Sequence, residues 1–134
     1  QDDYLFMKII NYILNIQKAE DQLVLGSVKL SRDWSYAEDI VEGIINMTES
    51  KLGKDYVLGS GIPTTIKDLL EISFSYFNLK WEDYIVIDKN ILRKNDPEKR
   101  ISNPKLIHKD TGWKTKTSIE KIINKIINYK SVDN

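Results

Sequence analysis

The chain has 134 residues, of which 41% are hydrophobic, and its 20 basic side chains balance 20 acidic ones. That length fits a single domain with one core, so we assign residues 1–134 to one domain. The zero formal charge argues against a nucleic-acid surface, and no apolar run approaches the roughly 20 residues that a membrane span needs. Cys is absent, which excludes disulfides and thiolate metal sites and fits a reducing, cytoplasmic location.

The first half of the chain predicts two helices around a strand. Tyr4 to Lys18 carries apolar residues every three to four positions, which is typical of an amphipathic helix, and Asp2 or Asp3 can cap it. Leu23 to Gly26 predicts a short buried strand, followed by a loop that carries Arg32. A second helix is expected to begin at Ser35, run to about Glu49 and bury one apolar stripe. Its signals are a capping box of Ser35 with Glu38 and the stripe Ala37, Ile40, Val41, Ile44 and Ile45.

The second half alternates strands and helices. Asp55 to Gly59 predicts a strand, and Thr65 is a suitable cap for a third helix, whose stripe is Ile66, Leu69, Leu70 and Phe77. Asp83 to Asp88 predicts another strand, and its continuous apolar run is typical of a buried parallel strand. A polar loop from Lys89 to Ser102 follows.

Two helices are expected after that loop. Asn103 and Pro104 can start a short helix that Gly112 stops, and Thr117 with Glu120 forms a capping box for the last helix. The alternation of strands and helices predicts an α/β fold with a small three-stranded sheet and about five helices. One face of so small a sheet stays uncovered unless another domain packs on it.

The arginines are the first candidates for a binding site, because the chain has only three of them among its 20 basic residues. Arg can bind two oxygens of a diphosphate at once, which Lys cannot. Arg32 precedes a predicted helix N-terminus, where an anion is favoured, and Arg93 follows a predicted strand, where α/β folds place ligand contacts. The alternative is that these arginines pair with local acids such as Asp33 or Asp96. Arg100 is the weakest of the three candidates.

We expect no catalytic or metal-binding residue in this chain. His108 is the only histidine and falls on a short polar helix. The spacing Tyr-x-x-x-Lys, in which Lys lowers the pKa of a catalytic Tyr, occurs at Tyr4/Lys8 and Tyr76/Lys80. Neither pair follows a glycine-rich nucleotide-binding unit, and a chain so rich in Tyr and Lys produces such pairs by chance. We therefore reject both pairs.

Several motifs at matching distances resemble the C-terminal part of GDP-mannose 4,6-dehydratases, which are extended short-chain dehydrogenase/reductase enzymes. The resemblance covers nearly the whole of Leu23 to Tyr129. It is carried by the following segments: Leu25-Gly26-Ser27; Ser31-Arg32-Asp33-Trp34; Asp39 with Ile40 and Val41; DYVLGSG at 55–61, similar to the family's DYVLATG; WEDYIVID at 81–88; Arg93 and Asp96, at the arginine and acid of the family's RPAEV; and GWKTKTSIEKII at 112–123, similar to GWKPKTSFEELV.

The resemblance implies a substrate-binding domain and a reaction. Such enzymes use NADP to oxidise the sugar of GDP-mannose at C4, eliminate water across C5 and C6, and return the hydride to C6. In the family the cofactor and the catalytic Thr or Ser, Glu, Tyr and Lys belong to an N-terminal Rossmann domain, which is missing from this sequence. By the same likeness, Arg32 and Arg93 bind the diphosphate or nucleoside of the substrate, and Asp96 contacts its hydroxyls.

Departures from the family pattern fall in the substrate loops. Ser27 stands where the family has Asn, Ser31 where it has Lys, and Lys94-Asn95-Asp96 where it has Pro-Ala-Glu. We therefore include Ser27 and Ser31 among the candidate substrate-binding residues. A dehydratase acting on a GDP-heptose, a related reductase or epimerase, and a non-enzymatic binding or assembly module remain alternatives.

The chain begins with Gln and has no glycine-rich nucleotide loop, which suggests a fragment of a larger enzyme. Alone, such a fragment is expected to be inactive. It is also expected to expose apolar faces and to self-associate, as is the parent enzyme.

Overall fold

The computed structural model describes residues 4–132, with side chains described to residue 130. These residues form five α-helices, five short strands and three 3-10 turns, at Ile16–Lys18, Trp81–Asp83 and Lys89–Ile91. The helices are α1 (Leu5–Leu14), α2 (Ala37–Glu49), α3 (Ile66–Ser75), α4 (Lys105–Thr111) and α5 (Ile119–Val132). The strands are β1 (Leu23–Leu25), β2 (Ser31–Arg32), β3 (Thr64–Thr65), β4 (Ile85–Ile87) and β5 (Lys99–Arg100). The α/β class and the number of helices are confirmed.

The core lies where α1, α3 and α5 pack on one another beside β1 and β4. Each helix contributes an apolar stripe, and burying one such side chain stabilises the fold by about 1.5–3 kcal/mol. The most deeply buried members are Ile9, Ile10, Leu69, Leu70, Phe74, Ile123 and Ile127. The predicted first helix is confirmed, although its α-helical part ends at Leu14. Its proposed caps, Asp2 and Asp3, lie outside the described residues.

The strands form two sheets rather than one. β1 pairs with β4 in parallel, with Leu23 opposite Ile85 and Leu25 opposite Ile87. Both strands were predicted, and the parallel setting expected for β4 is confirmed, but β4 is not covered on both faces. Val86 and Ile87 are each 40% exposed, because a two-stranded ribbon leaves most of its surface open.

A second sheet has the order β3-β2-β5. β2 pairs antiparallel with β3 and parallel with β5, so that Arg32 lies opposite both Thr64 and Arg100. The prediction that Arg32 lies in a loop is therefore wrong. Residues 55–59, predicted as a strand, form no strand in the described part of the chain. The apolar pattern was present, but no neighbouring strand completes the hydrogen-bond ladder.

The buried face of α2 differs from the predicted one. Val41, Ile44 and Ile45 are 55%, 44% and 50% exposed, whereas Asp39 and Gly43 are buried. The reason is Trp113, whose ring atoms lie 2.8 and 2.9 Å from the position that a Cβ on Gly43 would take. Only a glycine lets the indole approach the helix this closely.

The capping predictions for α2 and α5 are wrong, because other partners take the hydroxyls. α2 has Tyr36 at its N-cap without a side-chain bond, and Ser35 donates to Asp33 instead. Thr117 donates to the buried Asp39 carboxylate, so the hydroxyl of Ser118, one residue later, accepts from the N–H of Lys121.

Two other helix signals are confirmed. Thr65 and Asp68 form a reciprocal capping box at the start of α3, although Phe77 lies beyond the end of that helix and Phe74 fills the core instead. Gly112, with φ of 75°, ends α4. Pro104 occupies the N-cap of α4, one position later than predicted.

Candidate functional site

The candidate site is a cleft in the described part of the chain, with a volume of about 870 Å³. It lies where the segments that follow β1 and β4 meet, because the carboxyl ends of parallel strands share one edge of a sheet. Its apolar wall includes Leu5, Phe6, Leu25, Leu30, Trp34 and Leu92, and its polar members are Ser27, Arg32, Arg93 and Asp96. Apolar walls with a few convergent polar groups are typical of small-molecule sites.

Gly26 permits this meeting of the two segments. A Cβ at Gly26 would lie 3.1 Å from two side-chain carbons of Leu92 and 3.3 Å from its backbone nitrogen. Glycine therefore allows the loop after β4 to close the cleft against the loop after β1. The turn Leu25-Gly26-Ser27 has this packing role whatever the cleft binds.

Arg93 is the uncommitted cation of the cleft. Its side chain is exposed, lines the cleft, and forms no hydrogen bond or ion pair with any described residue. All five guanidinium N–H groups are therefore available to an anionic ligand. This arrangement suits a phosphate or carboxylate, which a guanidinium binds with two parallel hydrogen bonds.

Arg32 lines the same cleft but is held by the protein. Its Nη2 donates to Oδ1 of Asp96 at 2.8 Å, and its Nη1 donates to the backbone carbonyls of Ser31 at 2.8 Å and Pro97 at 3.2 Å. Its side chain is 21% exposed. The structure thus brings the two predicted arginines to one cleft and gives them different surroundings. Arg32 is fixed by its neighbours, whereas the side chain of Arg93 has no partner among the described residues.

Asp96 lies between two arginines. Its Oδ1 is 2.8 Å from Nη2 of Arg32 and 3.6 Å from Nη2 of Arg100. Asn95, just before it, has a left-handed φ of 68° that turns the chain at this point. One oxygen of Asp96 is therefore committed to guanidinium groups, and Oδ2 accepts no hydrogen bond from a described residue.

The two candidate serines have different positions. Ser27 lines the cleft, and its Oγ accepts a 3.1 Å bond from the N–H of Lys29. Ser31 is only 4% exposed and does not line the cleft. Its contribution is through its backbone, because its carbonyl accepts from Arg32 and its N–H donates to Glu98.

Asp33, next to Arg32, connects several chain segments through hydrogen bonds, a role that the sequence pattern did not predict. Its carboxylate accepts hydrogen bonds from the backbone N–H groups of Ser60, Gly61 and Ser102 and from both of those serine hydroxyls. Partial burial opposes ionisation, but the bonds from Ser102, Ser60 and Gly61 outweigh it and lower the pKa of Asp33 to about 2. Asp33 therefore joins three chain segments behind the cleft and does not pair with Arg32.

The residues described here do not fit a dinucleotide cofactor. The most closely spaced glycines are Gly59 and Gly61, and the N–H groups of Ser60 and Gly61 already donate to Asp33 rather than facing a free phosphate site. Among residues 4–132, no group of three or more His, Asp or Glu side chains is placed to hold a metal ion. The cleft can bind and orient a ligand, and we assign no proton or hydride transfer to it.

The Tyr and His residues that the sequence analysis rejected as catalytic differ in their contacts and exposure. Tyr76 donates a 2.9 Å hydrogen bond to Asn128, and Tyr4, at the mouth of the cleft, is 74% exposed. His108 is exposed on α4, away from the cleft lining.

Within the described residues no helix has the length and apolar character required to cross a bilayer.

Comparison with known proteins identifies relatives over most of the chain. The family model described as GDP-mannose 4,6 dehydratase matches residues 1–126. GDP-mannose 4,6 dehydratase 1 of Arabidopsis thaliana is 32% identical over 108 residues, which are 81% of this chain and 30% of that protein. This chain therefore spans about a third of the length of such a relative.

Solved structures show the same fold at lower identity. RMD from Pseudomonas aeruginosa, complexed with NADPH, superposes with a TM-score of 0.85 at 19% identity, covering 100% of this chain and 44% of that one. A UDP-glucuronic acid 4-epimerase from Bacillus cereus, in complex with UDP-glucuronic acid and NAD, gives a TM-score of 0.80 at 14% identity, covering 100% of this chain and 41% of that one. At these identities the likeness concerns the fold alone.

Proposed function

Because this chain belongs to the GDP-mannose 4,6-dehydratase family, we propose that it is the sugar-nucleotide-binding domain of a longer enzyme of that kind. The observation that carries this proposal is the uncommitted guanidinium of Arg93 in the same apolar-walled cleft as Arg32. A sugar nucleotide has two matching parts, an anionic diphosphate for the arginines and a flat base for the apolar wall. Ser27 and Asp96, also in the lining, offer hydrogen-bonding groups for hydroxyls.

The proposed reaction is the conversion of GDP-mannose to GDP-4-keto-6-deoxymannose, a lyase reaction of the complete, cytoplasmic enzyme. NADP would supply the hydride acceptor and donor, and we propose that it binds outside these 134 residues, since none of the described glycine turns fits it. The part of this chain is to bind the diphosphate and orient the sugar. On its own the chain is expected to be inactive.

A calorimetric titration tests the binding role. GDP-mannose is titrated into the longer enzyme and into its Arg93→Ala variant, with Lys121→Ala as a control that removes an exposed cation on α5, away from the cleft. Arg93→Ala should weaken binding about 10- to 100-fold, because charge-assisted hydrogen bonds are lost. The control variant should bind GDP-mannose as tightly as the wild type. Equal affinity of the Arg93 variant and the wild type would remove Arg93 from the site.

A related sugar-nucleotide epimerase or reductase is the second candidate, because an epimerase shares this fold with a TM-score of 0.80. Ser27 in the lining and Ser31 behind it depart from the family pattern, which keeps a GDP-heptose as an alternative substrate. Product analysis after incubation of the longer enzyme with GDP-mannose and NADP separates these reactions, because only the dehydratase forms a 4-keto-6-deoxy product.

A non-enzymatic binding module is the third candidate. The residues encoded before Gln1 distinguish this module from an enzyme. A glycine-rich strand, loop and helix followed by a true Tyr-x-x-x-Lys pair would support the enzyme, and their absence from the gene would support the module. We further propose that the protein self-associates through its exposed apolar surface, of which Val41, Ile44 and Ile45 on α2 form one face.

A further inference from the structure

The cleft contains one arginine that is fixed by a carboxylate and one that is not. Arg32 is held by Asp96 at 2.8 Å and by two backbone carbonyls, and both side chains of the ion pair are about one-fifth exposed. Arg93 has no such partner among the described residues. The pairing spans 64 positions of sequence, so it exists only because β2 and β5 lie side by side.

We propose that Asp96 is a positioning residue, which locks the guanidinium of Arg32 in the wall of the cleft so that Arg32 is prearranged for an anion while Arg93 adapts to it. This inference rests on the proposed binding function of the cleft and assigns Asp96 a different task from contact with substrate hydroxyls. The donors of Arg32 are partly occupied, since Nη1 and Nη2 both serve protein oxygens. Its Nε–H has no acceptor among the described residues and is left for the ligand.

Prearrangement matters because an arginine side chain loses rotational freedom when it binds an anion. A guanidinium already held by the protein has little of that freedom left to lose. Asp96 introduces an unfavourable negative charge beside an anion site, so its presence needs a compensating benefit. Holding Arg32 in place provides one.

Three roles for Asp96 predict different effects on the binding of inorganic pyrophosphate, which has the linked anionic phosphates of the diphosphate but no sugar hydroxyl. If Asp96 is merely a nearby charge, its removal should tighten pyrophosphate binding, because a repulsion disappears. If it only accepts substrate hydroxyls, pyrophosphate binding should not change. If it positions Arg32, its removal should weaken binding.

The first measurement needs no ligand. The chain has only three arginines, so NMR can distinguish their Nε–Hε signals and measure how fast each guanidinium rotates. We expect slow rotation for Arg32 and fast rotation for Arg93 in the wild type. In Asp96→Ala, Arg32 should rotate as fast as Arg93, whereas in Asp96→Asn, which keeps an acceptor oxygen, it should be intermediate. Arg100→Gln removes the more distant partner of Asp96, at 3.6 Å, and should leave Arg32 slow.

The second measurement is the affinity for pyrophosphate in the same samples. We expect Asp96→Ala to weaken binding about tenfold and Asp96→Asn about threefold. In an Arg32→Gln background, Asp96→Ala should have no further weakening effect. Backbone amide spectra establish whether each variant is folded. If Asp96→Ala does not fold, Asp96→Asn provides the comparison.

Rotation of Arg32 that stays slow in folded Asp96→Ala would overturn the proposal, and so would unchanged or tighter pyrophosphate binding in that variant. Failure of the proposed function has a different signature. In that case the Arg93 signal does not respond to pyrophosphate in the wild type, while the rotation data from the free protein still decide whether Asp96 fixes Arg32.

Discussion

The indole Nε1–H of Trp113 donates a 3.0 Å hydrogen bond to the backbone carbonyl of Asp39, across 74 positions of sequence. The same ring lies against Gly43, one turn further along α2. Together these contacts join the segment after α4 to the helix that follows Arg32 and Asp33. They determine which face of α2 is buried, and therefore the orientation of the helix that follows Arg32.

Gly43→Ala should destabilise the protein. Alanine is intrinsically better than glycine inside a helix by about 0.5–1 kcal/mol, but its Cβ would lie 2.8 Å from Cε2 of Trp113 and 2.9 Å from Cδ2 of Leu58. Overpacking typically costs about 1–3 kcal/mol, so a net loss is expected in urea unfolding. The control is Glu49→Ala at an exposed position of α2, for which a change within about 0.5 kcal/mol is expected. A stabilised Gly43→Ala variant would mean that Trp113 does not pack as described.

Asp39→Ala should be more harmful than its neighbour Glu38→Ala. Asp39 is 6% exposed as a residue, and its carboxylate accepts hydrogen bonds from the backbone N–H groups of Lys116 and Thr117 at 2.9 Å each. Removing it leaves two N–H groups without an acceptor, which should cost about 2–4 kcal/mol. Glu38, on the same turn of α2, is exposed, and its truncation should change the free energy of unfolding little. Equal effects of the two variants in urea unfolding would contradict the hydrogen bonds to Asp39.

Acid should weaken the fold through Asp33. The pKa of its carboxyl is lowered to about 2 in the folded chain, against about 3.9 for an unperturbed Asp. The stabilisation is therefore complete above about pH 4 and is lost as the pH falls towards 2. Because Asp33 is partly exposed, we expect a contribution of only about 1 kcal/mol after solvent screening.

Urea unfolding of wild type and Asp33→Asn between pH 6 and pH 2.5 measures this contribution. The difference in stability between the two proteins should shrink as the pH falls, because a protonated Asp33 resembles Asn. A difference that stays constant over this range would show that ionised Asp33 does not hold the three segments together.

Ile44→Asp should reduce self-association. Ile44 lies with Val41 and Ile45 on the exposed face of α2, and a charge placed there opposes burial against a second copy. Light scattering at rising protein concentration should show wild type associating and Ile44→Asp remaining smaller. Ile62→Asp is the matched control, since Ile62 is 63% exposed and lies outside α2. A wild type that stays monomeric at every concentration would refute the proposed self-association.

Local signals in the sequence predicted the parts of the fold that depend on neighbouring residues. The stripe of α1, the capping box at Thr65 and the stop at Gly112 were all confirmed, because each depends on contacts within a few positions. The existence of β1 and β4 was also anticipated from their apolar runs, although their pairing with each other was not. The resemblance of motifs, rather than any periodicity, indicated Arg32 and Arg93 as residues of one site.

The errors have a common physical cause. The stripe of Val41, Ile44 and Ile45 satisfies the pattern of a buried helix face, yet a distant Trp113 selects the opposite face, which carries a carboxylate and a glycine. The segment 55–59 has a strand-like pattern, but a strand exists only if another backbone pairs with it. In both cases the outcome depends on a partner that local sequence does not specify.

By itself, the sequence determined the α/β class, the helical core and the family, because these follow from composition, periodicity and motifs along the chain. Only the tertiary structure decided that Arg32 is held by Asp96 while Arg93 has no side-chain partner in residues 4–130, and that Ser31 is buried while Ser27 lines the cleft. The reason is that a side chain's freedom to bind a ligand depends on which of its hydrogen-bonding groups the rest of the fold has already used. For Arg32 the carboxylate partner, Asp96, lies 64 positions away along the chain.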